Sequence, residues 1–263
     1  MNLSNDDALL HVETAGDGTH TVILVHGLGG SARTWDSTVP ALAQHFRVWC
    51  PELRGCGASE RGTLQYDLDL LADDLAAIVK AAAKHGPVVL VGHSLGGVVV
   101  QALLTRGSIE VDAAALASTS SRLNSAATAN WLRIADAVEK KGLSTKPQAQ
   151  ARGFSDAFAD AHPEVLAEQA ELAKHCDTAV YVEQARAASH YDFDERLGAV
   201  AIPVLVIQGL ADKMTPVGGS VILDRALPNS RLELIEGVGH NLHIEMGDRF
   251  AQLVHDFVRT SCA

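Results

Sequence analysis

The chain has 263 residues, of which 47% are apolar and 20% charged. That suits a globular protein built on one large domain, or on one domain carrying a small insertion. The formal net charge of -11 sets up a surface that repels phosphate backbones and anionic bilayers, so neither nucleic acid nor a membrane is expected as a partner.

In chain order, Met1 to Asp7 holds no basic stretch followed by an apolar one, and no secretory signal is expected there. Thr21–Val25 is a short apolar run ending at His26-Gly27 and predicts a buried strand. Ser37–His45 predicts a helix with Pro40 in its first turn, and Phe46–Cys50 the next strand. Between Tyr66 and Lys84, Leu68, Leu71, Leu75, Ile78 and Val79 recur at helical spacing, and Gly86-Pro87 ends that helix. Val88–Val91 predicts a third strand, Leu95–Thr105 a buried helix and Val111–Ala117 a fourth strand. Pro203–Ile207 and Leu232–Ile235 predict the fifth and sixth, and Ile244–Arg259 a closing helix. Strands alternating with helices imply right-handed crossovers and a mostly parallel sheet covered on both faces.

The alternation fails between Ser121 and Ala199, where apolar residues keep a helical period (Trp131, Leu132, Ile134, Ala135, Val138; then Val165, Leu166, Leu172, Ala173). Residues 1–120 and 200–263 are therefore expected to form an α/β core, and 121–199 a helical lid over the sheet edge where such sheets bind ligands. The cysteines (Cys50, Cys56, Cys176, Cys262) show no C-x-x-C spacing. That gives zinc and dithiol chemistry little support and suits free thiols in a reducing cytoplasm.

The chemical signal is Gly92-His93-Ser94-Leu95-Gly96, after a predicted buried strand and opening a predicted helix. This is the setting of a nucleophile elbow, a sharp turn that lifts a serine hydroxyl clear of the sheet at a helix N-terminus. A serine hydroxyl is a poor nucleophile at neutral pH without a base. His240, in the glycine-rich loop after the last strand, is the candidate base. His243 falls at the start of the final helix, less free to reach across, and is read as structural, as is His26. Asp212, in the loop after the fifth strand, is the candidate for fixing the tautomer of His240. The loop Ser118–Ser121 offers no carboxylate for that role. The backbone N–H groups of Leu95 and Leu28 are the expected oxyanion donors. Trp131, Phe154 and Phe158 are the large apolar lid residues expected to meet the substrate, and Arg122 and Arg133 are candidates for holding a substrate carboxylate. No metal-ligand cluster and no cofactor motif are recognised.

With these motifs the chain resembles the α/β-hydrolase superfamily over nearly its whole length. The resemblance runs from His26-Gly27 through Leu53-Arg54-Gly55-Cys56-Gly57-Ala58-Ser59, the Ser94 elbow and the Asp212 loop to Gly239-His240. The stretch Thr34-Trp35-Asp36 to Pro40–Val48 is similar to the 3-oxoadipate enol-lactonases within a small lidded group that also holds carboxylesterases, perhydrolases and meta-cleavage C–C hydrolases. Glu52 and Cys56 depart from residues common in the group, and Asn241 stands where the C–C hydrolases usually carry Trp. The resemblance implies a cofactor-independent serine hydrolase acting on a small or medium ester or lactone. A C–C bond hydrolase and a slow-turnover ligand receptor stay open as alternatives, as does a homodimer. Fold and catalytic residues alone do not choose among them.

Overall fold

The computed structural model describes residues 1–262. The strands are β1 (Asn2–Asn5), β2 (Ala8–Ala15), β3 (Thr21–Val25), β4 (Arg47–Pro51), β5 (Val88–His93), β6 (Ala113–Ala117), β7 (Val204–Gly209) and β8 (Ser230–Ile235). They form one sheet in the order β1-β2-β4-β3-β5-β6-β7-β8. Pairing is parallel from β4 to β8 and antiparallel for β1–β2 and β2–β4. Successive side chains of a strand point to opposite faces, so each central strand feeds two cores. Ile23, Val25, Leu90 and Leu116 join one, with Leu75 and Val99 from the covering helices Leu68–Ala82 and Leu95–Leu104. Val22, Leu24, Val89, Val91 and Ala115 join the other, with Trp35, Leu42 and Phe250, the last from the helix Gly247–Ser261.

All six expected strands are present, with ends shifted by a few residues. The N-terminal hairpin β1–β2 was not anticipated. Its turn uses Asp6 at φ 46°, a conformation that an aspartate tolerates better than most residues, and Ala8, Leu10 and Val12 of β2 are buried at alternate positions. The expected helix Ser37–His45 shrinks to Val39–Leu42, preceded by the 3-10 turn Ala32–Trp35. The final helix starts at Gly247, after a separate turn Leu242–Glu245. The crossover helix Val217–Ala226 between β7 and β8 carries no clear apolar period in the sequence, because Gly218-Gly219 interrupts it.

Between β6 and β7 the chain is helical. The main helices are Ser125–Lys141, Asp156–Ala161, Pro163–Ala173 and Thr178–Ala187. The first and last pack together through Ala135, Val182 and Ala185. The insertion leaves and rejoins the core through a narrow stem, where Leu123 N–H donates to Tyr191 O (3.2 Å) and Phe193 N–H to Ser121 O (2.9 Å). No helix among the described residues is long and apolar enough to cross a membrane.

Candidate functional site

In a parallel sheet the loops after each strand gather at one edge, and β3, β5, β6, β7 and β8 bring His26–Gly30, Ser94, Ser118–Ser121, Leu210–Pro216 and Glu236–Asn241 together there. Ser94 stands between β5 and the helix Leu95–Leu104 with φ 51° and ψ -116°, a backbone state that is strained for any L side chain. The turn is tight on both sides. A Cβ at Gly92 would lie 2.6 Å from Gly96 O, and one at Gly96 would strike the carbonyl of Val25. Ser94 N–H donates to Ala117 O (2.9 Å), anchoring the turn to β6. As the first residue of the helix, Leu95 directs an N–H that has no acceptor within the helix toward this edge. The His26–Gly30 loop closes from the other side, since a Cβ at Gly27 would sit 3.2 Å from the Ser94 Cβ.

His240 is 3% exposed, and its Nδ1–H donates to Asp212 Oδ2 at 2.8 Å. The carboxylate takes three further donors: Met214 N–H (2.7 Å) and Thr215 N–H (2.9 Å) on Oδ1, and Gln208 Nε2 (3.0 Å) on Oδ2. Burial opposes ionisation of Asp212, but the bonds from His240, Thr215 and Met214 outweigh it and hold the carboxyl below its ordinary range. The backbone carbonyl of His240 is fixed in turn. His93 Nε2–H donates to it at 3.0 Å and Ser118 Oγ at 2.8 Å, so the side chain beside Ser94 holds the loop of His240. Neither partner carries a spacing signal in the sequence, because the contacts span more than a hundred residues.

The other histidines here are framework. His26 is fully buried, its Nδ1–H donating to Gly27 O (2.8 Å) and its Nε2 accepting from Leu53 N–H (3.0 Å), which ties two loops of the edge together. Burial lowers its pKa. His243 packs on Trp35 and His93 (ring centroids 4.5 and 4.3 Å), and burial pushes it down to about 3. Burial, with His243 and His240 alongside, drives His93 well below its ordinary range. Glu52 holds the loop that follows β4, accepting from Ala58 N–H at 2.6 Å. Arg54, fully buried, braces the same loop through a two-point bond to Asp74 (2.8 and 2.7 Å) and a third to Asp7.

Two cavities meet at Leu28, which lines both. One, of about 240 Å³, is walled by Ser94, Leu95, Leu123, Trp131, Tyr191 and Met214 among others. The second, of about 350 Å³, runs between the His26–Gly30 loop, Asn241 and the insertion at Gln169–Cys176. Of the expected lid contacts, Trp131 lines the Ser94 cavity, whereas Phe154 and Phe158 are absent from both walls. Phe154 is fully buried and stacks on Phe158 (5.3 Å) where the insertion meets the His240 loop. That junction is clamped by Glu245, which accepts from Gly239 N–H, Ser155 N–H and Ser155 Oγ, each at 2.8 Å. Arg122 is paired with Asp194 (3.2 Å) and Arg133 with Asn130 (2.9 Å), and neither lines a cavity.

A parallel sheet of this order with a strand–turn–helix elbow at Ser94 defines an alpha/beta hydrolase. The model of the Alpha/beta hydrolase family matches residues 22–253, and the chain belongs to that family. Among known proteins it is similar to 3-oxoadipate enol-lactonase 2 of Acinetobacter baylyi, 26% identical over 96% of this chain and 94% of that one. It is also similar to the pimeloyl-[acyl-carrier protein] methyl ester esterase of Aeromonas hydrophila, 27% identical over 94% and 98%. Among solved structures, the enol-lactonase of Burkholderia xenovorans superposes with a TM-score of 0.87 at 26% identity, covering 96% of this chain and 97% of that one. The esterase of Thermogutta terrifontis gives 0.89 at 26% identity, covering 99% and 98%.

Proposed function

We propose that the chain is a cofactor-independent serine hydrolase of small or medium carboxylic esters and lactones. The observation that carries this reading is the His240–Asp212 hydrogen bond of 2.8 Å, in a loop that His93, the neighbour of Ser94, fastens by its carbonyl. Asp212 holds the proton on Nδ1 of His240 and leaves Nε2 free to accept the hydroxyl proton of Ser94. Ser94 attacks the ester carbonyl, and the amides of Leu95 and Leu28 receive the oxyanion. Collapse of the tetrahedral intermediate passes the proton from His240 to the leaving alkoxide and leaves an acyl group on Ser94. Water, deprotonated by the same imidazole, then releases the acid. Residues 121–199 serve as the lid, with Trp131 on the wall of the Ser94 cavity. The enol-lactonase and esterase relatives support this reaction class.

The test is Ser94→Ala with a serine-directed phosphonate. The variant should lose on the order of 10³–10⁶ in turnover and the phosphonate should label Ser94 of the wild-type chain. Near-normal activity in a clean Ser94→Ala preparation would sink the assignment. Multiple turnovers on an aryl ester would exclude the slow receptor. A meta-cleavage dienoate preferred about a hundredfold over that ester, about 2.7 kcal/mol of transition-state binding, would make the chain a C–C hydrolase instead.

A further inference from the structure

We infer that this site selects uncharged esters and lactones and discriminates against substrates that carry a free carboxylate on a short acyl chain, an inference that rests on the hydrolase reading above. The wall of the Ser94 cavity contains no Asp, Glu, Lys, Arg or His among the described residues. Its polar members, Ser118, Thr119, Ser120, Asn130, Tyr191 and Thr215, are all neutral. Its volume of about 240 Å³ lies just below the range of drug-sized ligand pockets and suits a short acyl chain. A carboxylate on a short chain therefore ends inside the cavity without a cationic partner, where desolvation penalises it.

The two arginines that the sequence offered for this purpose are otherwise engaged. Arg122 is spent on Asp194 at the stem, and Arg133 is exposed, bonded to Asn130 and absent from the cavity wall. The second cavity supplies no alternative. Its arginine, Arg33, is exposed and bonded to Asp36 at 2.8 Å, and His175 is exposed at the opening. Its buried histidines, His93 and His243, are held neutral by desolvation. Its buried acidic side chain is Glu52, which offers no cation to a substrate carboxylate. The net charge of -11 adds a long-range field of the same sign.

The experiment compares kcat/KM for two probes that differ in charge: the p-nitrophenyl monoester of adipic acid with its far carboxylate free, and the same compound with that carboxylate methylated. Release of p-nitrophenolate is read for both. The wild-type chain should prefer the methylated probe by about a hundredfold. Ala127→Arg places a cation on the cavity wall and should narrow the ratio at least tenfold, while Ala127→Gln leaves it in place. Ala188→Arg, on the same wall, replaces the first variant if that one fails to fold. A wild-type ratio below tenfold would overturn the inference and leave the hydrolase reading standing. So would an unchanged ratio in a folded arginine variant. No turnover of either probe by the wild-type chain would overturn the hydrolase reading and this inference with it.

Discussion

Asp212→Asn isolates the proposed division of labour between the imidazole and the serine. In the wild-type structure Oδ1 of Asp212 faces two N–H donors, from Met214 and Thr215, and Oδ2 faces two more, from His240 Nδ1 and Gln208 Nε2. An asparagine has one oxygen and one NH₂. The two fixed backbone donors claim the oxygen, so the NH₂ falls on the side of His240 and opposes its Nδ1–H. The imidazole resolves the conflict by moving its proton to Nε2, the nitrogen that must accept the proton of Ser94. The fold should survive, because two of the four bonds persist, while kcat/KM on an aryl ester should fall by on the order of 10⁴, about 5.4 kcal/mol at 1.36 kcal/mol per tenfold. Thermal unfolding followed by circular dichroism separates this from simple unfolding. A folded Asp212→Asn protein within tenfold of wild type would refute the tautomer argument and move the orienting carboxylate elsewhere.

Trp131→Ala should change the preference between short and long acyl chains, read as kcat/KM over an ester series. Phe154→Ala should instead destabilise the chain by about 3–5 kcal/mol and lower every ester alike; a selective change on Phe154→Ala would contradict its burial. Asp74→Ala leaves the Arg54 guanidinium inside the protein with Asp7 as its remaining carboxylate. It should cost about 3–5 kcal/mol, a fall in Tm on the order of 10 °C, and calorimetric stability within 1 kcal/mol of wild type would count against the buried pair. His26, His93 and His243 are neutral in the folded state with lowered pKa values, whereas unfolding frees them to protonate below the reference value of 6.5. The unfolded chain then binds more protons, so stability falls as pH drops from about 6.5, each histidine adding about 1.4 kcal/mol per pH unit until its folded pKa is reached. Urea melts between pH 7 and 5 measure this slope; a flat profile would mean that these rings are charged in the native state.

The central strands were readable because both faces of each are buried, leaving near-continuous runs such as Thr21–Val25 and Val88–Val91 between glycine-rich turns. β1 and β2 escaped because their burial alternates and their polar residues look like a disordered N-terminus; the Asn5-Asp6-Asp7 turn was the available signal. Ser94, Asp212 and His240 could be named from local context, since each lies in the turn or loop that follows a strand. Their fastenings could not. His93 to His240 and Glu245 to Ser155 join segments 147 and 90 residues apart in the chain, which one-dimensional spacing does not encode. The same limit applies to Phe154: a large apolar side chain in the insertion is expected to turn inward, and its size does not say whether inward is a cavity or a packed seam.

The backbone at Ser94 has a consequence for how such a chain ages under mutation. A serine at φ 51° and ψ -116° holds on the order of 1–3 kcal/mol of conformational strain, at a position where glycine would be relaxed. Ser94→Gly should therefore raise the midpoint of a denaturant melt, by about 1 kcal/mol net once the greater freedom of glycine in the unfolded chain is subtracted. Selection for robustness alone would discard this side chain early. A laboratory screen for heat tolerance without an activity filter would drift toward an inert copy, and a natural lineage released from its substrate has the same downhill route open to it.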